Sequence, residues 1–402
     1  MTQLFRHRIL LPALGALTLL APVGIAGPAQ TSPVAIKRIP EGGMQPQAAV
    51  DRAGTLHLIY LKGEPSKADV YYVTSRDSGK TFTAPMRVNS EPGSAVAAGT
   101  IRGAQLALGA DGRVHVAWNG SSSSKLRGPL NPEQPADSPY NGTPMLYTRL
   151  NGAGTAFEPE RNLMKHTFAL DGGGSVAADG SGNVYVGWHG NAVGGPLGEA
   201  GRRVWVAQSR DNGKTFSDES PLSSEKPGAC GCCGLRLFAG RDKQLYGLFR
   251  SATNEVHRDI YLVASSRGAA PREKLLHQWN INACPMSSMA FAGTDQDVLG
   301  AWETQEQIYF ARIDPRTLQL SEPAAAPGSA TRRKHPSLAV NERGETLLVW
   351  TEGTGWNKGG ALAWQLFDAD GKLLSEGGQV GGVPTWSFGA AVATASGFVI
   401  FY

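Results

Sequence analysis

Two octets constrain this chain more than anything else in it. They are Ser75-Arg76-Asp77-Ser78-Gly79-Lys80-Thr81-Phe82 and Ser209-Arg210-Asp211-Asn212-Gly213-Lys214-Thr215-Phe216. Each follows a short β-forming run, Val70-Tyr71-Tyr72-Val73 in one case and Val204-Trp205-Val206 in the other. The shared pattern S-x-D-x-G-x-T-F describes a turn with assigned parts. The aspartate accepts hydrogen bonds from backbone ahead of it, the glycine supplies a positive φ, and the aromatic pins the turn to the sheet. A third, decayed copy, Arg149 to Phe157, lacks the Ser and the Asp. One such turn is an ordinary hairpin. Matched copies with matched flanks make a repeat, and a repeat dictates architecture.

The longer repeat unit is an apolar strand, a Gly- or Asp-containing turn, and a second strand that closes on an aromatic. The closing aromatics are Tyr60, Trp118, Trp188, Phe249, Trp302, Trp350 and Tyr402, spaced roughly 50 to 70 residues apart. That is the size of a four-stranded propeller blade. With 51 Gly and 25 Pro in 402 residues, and little helix periodicity, the body reads as all-β with many turns. Six units look complete, and the seventh ends the chain with only two strands. The segment Pro33 to Ile39 is a strand without a blade, similar to the fourth strand around Pro85-Met86-Arg87-Val88. Joining both termini in one blade closes the ring and removes exposed edges. The expectation is therefore a single propeller domain over residues 33–402, with seven blades and the last one composite.

The octets resemble the Asp-box of the sialidase (BNR-repeat) superfamily, whose fold is a β-propeller. The resemblance keeps six blades as the alternative, because sialidases themselves use six. It also implies that the Asp-box turns, with Ser75, Asp77, Gly79, Thr81 and Phe82 in one copy and Ser209, Asp211, Gly213, Thr215 and Phe216 in the other, lie away from the active site. The residues Lys37-Arg38-Ile39-Pro40 echo the family's arginine motif, with Lys in place of its aromatic.

Residues 1–26 read as a secretory signal peptide. Arg6 and Arg8 precede an apolar run from Ile9 to Ala21, with cleavage expected near Ala26. Pro12, Gly15 and Pro22 leave that run short of the ~20 apolar residues a membrane span needs, and no later stretch supplies one. The expected location is the periplasm or the exterior, and the expected state a monomer. The net charge of +4 is spread along the chain, so nucleic acid is not implied as a partner.

In the family that the octets resemble, the active site lies where first strands begin and second strands end. Counting back eleven residues from Phe249, Trp302 and Trp350 makes Phe238, Phe291 and Ala339 equivalent. The same count places Arg102, Asp171, Arg333, Lys334, His335, the Cys232-Cys233 pair and Cys284-Pro285-Met286 before first strands. Second strands end at Asn119, His189, Arg250, Glu303 and Glu352. Sialidase chemistry needs arginines for a substrate carboxylate, which a guanidinium fork grips at two points, together with a Tyr nucleophile, a Glu and an Asp. The resemblance thus implies Arg102, Arg250, Arg333, Glu303 or Glu352, and Asp171 as catalytic candidates. His189, Asn119 and Trp356 are candidates for substrate contact. No tyrosine is marked by spacing as the nucleophile. Trp364 and Trp386 read either as blade packing or as part of a sugar platform. Ser121 to Ser124 and Leu130 to Asn141 form a long loop placed to overhang the mouth, and Asn141-Gly142-Thr143 matches a glycosylation sequon.

All four cysteines fall in the same pair of adjacent positions: Cys230, Cys232 and Cys233 in one turn and Cys284 in the next unit. In an exported chain, an even cysteine count favours disulfides. Three thiols within four residues strain that reading, and one would have to reach Cys284. The rival is a soft-metal site from the cysteines with Met286 and His335, which suits copper. Two readings of function stay open. One is a glycoside-directed hydrolase or binder of an acidic glycan, requiring no cofactor. The other is a non-catalytic envelope protein with a Cys/Met/His metal or redox site.

Overall fold

The computed structural model describes residue 1 and residues 32–294 and 297–402. The segment expected to be a signal peptide, residues 1–26, lies outside the described residues apart from Met1. The unit Ser32–Tyr402 is one compact body. No helix among the described residues is long and apolar enough to cross a membrane.

Seven sheets stand around an axis, which settles the choice between six and seven blades. Blade 1 is Met44–Val50, Leu56–Glu64, Lys67–Ser75 and Met86–Arg87, each strand antiparallel to the one before. Blades 2, 4, 5 and 6 repeat that order, with innermost strands Gln105–Leu108, Arg236–Ala239, Ala290–Gly293 and Lys334–Val340. Blade 3 starts at Ser175–Ala178 and carries an additional short strand, Thr167–Phe168, on the far end of Val184–Ala192. Most second strands are buried along their whole length, as in Val114–Asn119, Leu245–Arg250 and Thr346–Glu352, while Leu56–Glu64 leaves its last three residues exposed. Sitting inside a sheet whose two faces both pack against neighbouring blades, they have no solvated face and so lose the usual alternation. Every closing aromatic is buried accordingly. Trp118 packs with Ile59, Leu61 and Val70 of blade 1, so the aromatic that ends one unit is part of the seam with the previous one.

The seventh blade joins the two ends of the unit. Ala390–Thr394 and Gly397–Phe401 form a hairpin, and Val34–Lys37 pairs with Gly397–Phe401. Ile39 N donates to Tyr402 O at 3.1 Å and Tyr402 N to Lys37 O at 3.1 Å. The composite closure is as expected, but the position differs from a fourth strand. Val34–Lys37 runs parallel to the second strand, which is the direction a fourth strand has, yet it docks in third place. With no third strand in this blade among the described residues, it pairs directly with the edge of Gly397–Phe401.

The octets form the same turn twice, between third and fourth strands. Asp77 Oδ1 accepts from Thr81 N at 2.9 Å, its Oδ2 from Thr81 Oγ1 at 2.6 Å, and Gly79 N donates to Ser75 Oγ at 2.8 Å. Asp211, Thr215, Ser209 and Gly213 repeat these bonds at 2.9, 2.7 and 2.9 Å. Phe82 meets Phe401 edge-on and Phe216 meets Tyr147 edge-on, so each turn is stapled to the preceding blade. In the decayed copy Asn151 takes the aspartate's place, accepting from Thr155 N at 3.0 Å, and Phe157 meets Tyr72.

Candidate functional site at the mouth

The mouth opposite the octet turns is where the second strands end, and the long loop after Asn119 overhangs it as expected. Arg102 and Asp171 meet there. Arg102 Nη2 bonds Asp171 Oδ1, and its Nε donates to Asp171 O at 2.9 Å. Asn119, at the end of its strand, holds the turn that carries Asp171: its Nδ2 donates to Gly172 O at 3.0 Å and its Oδ1 accepts from Gly174 N at 3.3 Å. Arg102 and Asp171 keep 29% and 39% of their side-chain surface, so the pair faces solvent while being fixed from behind. Together with Tyr140, Asn131 and Arg202 they line a cavity of about 420 Å³. Trp356, half exposed, reaches across from blade 6. Its ring and the Arg102 guanidinium both come within about 3 Å of where a Gly99 side chain would begin.

The other candidate arginines have a different role. Arg250 is 1% exposed and spends its donors internally, on Arg258 O at 2.7 Å, Glu303 Oε2 at 2.9 Å and Glu303 O. Arg333 is equally buried, held by Glu352 Oε1 at 3.1 Å, Gln307 Oε1 at 2.8 Å and the carbonyls of Ala326 and Pro327. Glu352 is saturated as well, accepting also from Trp350 Nε1 and Gln379 Nε2. Glu303 sits in the blade 4–blade 5 seam, where burial outweighs the Arg250 charge and pushes its carboxyl up to about 7. Arg250 pairs across the seam with Glu303 of the next blade, while Arg333, paired with Glu352 inside blade 6, bonds Gln307 and Ala326 O of blade 5, so both arginines are spent on the seams and neither is open to a substrate carboxylate. Arg102 alone of the expected three is open.

His189 is 2% exposed, with Gly172 packed against its Cε1, and burial drops it to about 4, so it is a neutral support beneath the Asp171 turn and does not contact the cavity. The sequon asparagine, Asn141, is buried and its Nδ2 donates to the carbonyls of Asn131 and Pro135, which leaves it inaccessible to a glycan-transferring enzyme. Trp364 packs in the seam of blades 6 and 7.

The cysteines divide. The sulfurs of Cys230, Cys232 and Cys233 all lie within 4.8 Å of one another, with Cys230 Sγ and Cys232 Sγ 3.3 Å apart. Cys284 is outside this group and exposed, and all four are free thiols. The expected partnership of Cys284 with the other three fails because the segment before blade 5 turns its side chain outward. Burial works against ionising Cys233, but hydrogen bonds from the Cys230 and Cys232 thiols, with the Arg250 charge, carry its pKa well below the usual thiol value. Met286 and His335 share a separate small recess with Trp356 and Trp386, where burial lowers His335 to about 3.

Counting from closing aromatics missed three residues and misplaced one. Arg202 and Tyr140 reach the cavity from loops after second strands, where length varies freely. Arg236 points into the axial channel and donates to the side chains of Gln47 and Gln105 of blades 1 and 2. Its signal was present, because the matching ring positions in other blades are amides or small residues, Gln47, Gln105, Ser175 and Ser337. In blade 5 the hairpin is one residue shorter: Ala290 pairs Ala301, a separation of eleven, where Arg236 pairs Leu248, a separation of twelve. Phe291 is therefore not the equivalent of Phe238, and Ala292 takes that place.

No family model matches the sequence, and no curated protein does. Among solved structures, α-L-arabinanase from Penicillium chrysogenum superposes with a TM-score of 0.52 at 15% identity, over 86% of this chain and 100% of that one. The intramolecular trans-sialidase from Ruminococcus gnavus gives 0.49 at 11% identity over 83% and 96%. The Hadza microbial sialidase Hz136 gives 0.49 at 10% identity over 77% of this chain, which spans 64% of that one's length. Such distant identity speaks to architecture alone. In fold, the chain is a seven-bladed β-propeller.

Proposed function

We propose that this is an exported propeller that binds an acidic glycan in the mouth cavity and lacks sialidase-type turnover. The observation that carries this reading is the Arg102–Asp171 pair, half open and fixed by Asn119, beside the exposed ring of Trp356. A guanidinium offers two parallel donors to a carboxylate. An exposed indole offers an apolar face to the C–H side of a sugar ring. Asp171 orients Arg102 and gives up one of its bonds when a ligand carboxylate arrives. Tyr140 and Asn131, on the overhanging loop, add polar contacts at the rim. Against hydrolysis stands the enclosure of Arg250 and Arg333, which leaves Arg102 and Arg202 at the cavity where that chemistry needs three arginines.

Screening the full chain on an array of neutral and acidic oligosaccharides, beside its Arg102→Ala and Trp356→Ala variants, tests the reading. Retention confined to carboxylated glycans and lost in both variants supports it. Retention of neutral glycans alone, or equal signal from all three proteins, removes it.

A further inference from the structure

We propose that Cys230, Cys232 and Cys233 form a three-sulfur site for a single soft monovalent cation, Cu(I), distinct from the glycan cavity but adjoining it through Arg202. The turn Ala229 to Gly234 brings three sulfurs from four consecutive residues within 4.8 Å of one another. A metal about 2.3 Å from each sulfur at the centre of a triangle sets them about 4 Å apart, so the turn is close to ready. The turn itself is anchored, since Cys230 N donates to Arg250 O at 2.9 Å and Gly234 N to Ser287 O at 3.0 Å. Cys230 and Cys233 are buried and Cys232 is half-buried, which leaves one sulfur at which an incoming ion can exchange.

The surroundings suit an anionic metal–thiolate group. Arg258 is 5% exposed and lies within electrostatic reach of Cys230 and Cys232. Only its Nη2 is engaged, by Glu199 Oε2 at 2.7 Å, while its Nε and Nη1 are buried with no hydrogen-bond partner. Arg202 packs its guanidinium against Gly231 in the middle of the turn, and its Nε is likewise buried and unpartnered. Unspent cationic donors around buried sulfur are costly unless negative charge is there to meet them. Among the described residues, no His, Asp or Glu joins the group as a fourth ligand. Zinc favours four ligands in a tetrahedron, whereas three thiolates without a fourth suit Cu(I).

The test uses the full chain, fully reduced and kept free of air. Cu(I) is titrated in against the chromophoric chelator bicinchoninate, and the thiols are then alkylated and mapped by mass spectrometry. The proposal expects one Cu(I) retained per chain, with Cys230, Cys232 and Cys233 protected and Cys284 alkylated. Cys284→Ser should retain the same stoichiometry, and Cys232→Ser, whose sulfur is the most accessible of the three, should lose at least roughly tenfold in affinity. The wild-type protection pattern decides the matter even if a variant fails to fold. No retained copper, equal protection of Cys284, or preferential retention of Zn(II) from a mixture would overturn it. So would loss of two thiols to a disulfide with no metal held. Glycan retention on the array is read separately, so either proposal can fail alone.

Discussion

Individual residues decide how firmly the turns and seams are held. Gly213 has φ +78°, and a side chain there would start 1.9 Å from the Tyr147 hydroxyl, whereas Gly154 in the decayed copy has φ +69° and open space around it. Gly213→Ala should therefore cost more than Gly154→Ala, which carries only the left-handed backbone penalty of about 1–2 kcal/mol. Chemical denaturation of the two variants measures the difference, and equal costs would show that the octet turn is not packed as described. Three buried histidines set a pH response. Burial lowers His115 to about 4, His189 to about 4 and His335 to about 3, against an ordinary value near 6.5. A depressed pKa means the unfolded chain binds more protons, so stability is intact above about pH 6.5 and is lost as pH falls toward 4. The melting temperature should drop across that window, and His115→Gln should flatten the slope, because one of the three protons is removed. Residue identity was the least legible layer. Arg250 and Arg333 stand at the predicted level of the mouth, but nothing in a single sequence says that Glu303 and Glu352 already neutralise them. Cys284 sat at the right level too, and only the path of the backbone turns it away.

Among elements, the repeat made strands and blades readable because each unit solves the same packing problem. A second strand must be apolar on both faces and end in a large aromatic that fills the seam. Register was less secure, since blade 5 closes its hairpin with one residue fewer and a slip of one moves a side chain to the opposite face. The Arg250–Glu303 and Arg333–Glu352 pairs act at this scale, between elements. Arg250→Met should leave Glu303 buried with no charge partner and destabilise the protein by roughly 3–5 kcal/mol. It should not change glycan retention in the surviving folded fraction. The same enclosure predicts that a fluorogenic sialoside is cleaved feebly or not at all. Robust turnover abolished by Arg250→Ala would contradict the structural role given to that residue.

For the whole molecule, closure of the ring is the organising fact. Val34–Lys37 covers the edge of Gly397–Phe401, and Ile39 is buried against blade 1. Removing residues 33–39 exposes a strand edge and several apolar side chains, so the truncated chain should melt well below the parent and aggregate more readily. Seven blades and the joined termini followed from counting aromatics. The cavity followed in part, through Arg102, Asn119, Asp171 and the loop from Leu130 to Asn141, but the reach of Tyr140 and Arg202 into it depends on loops of irregular length that no repeat constrains. That cavity is where the account of function rests. The most direct measurement is a calorimetric titration of the full chain with a carboxylated oligosaccharide taken from the array, run beside Arg102→Lys and Arg102→Ala. The account predicts one site per chain, a loss of roughly tenfold or more, about 1.4 kcal/mol, in the alanine variant, and only partial recovery with lysine, which lacks the two-pronged fork. Unchanged affinity in Arg102→Ala would contradict it.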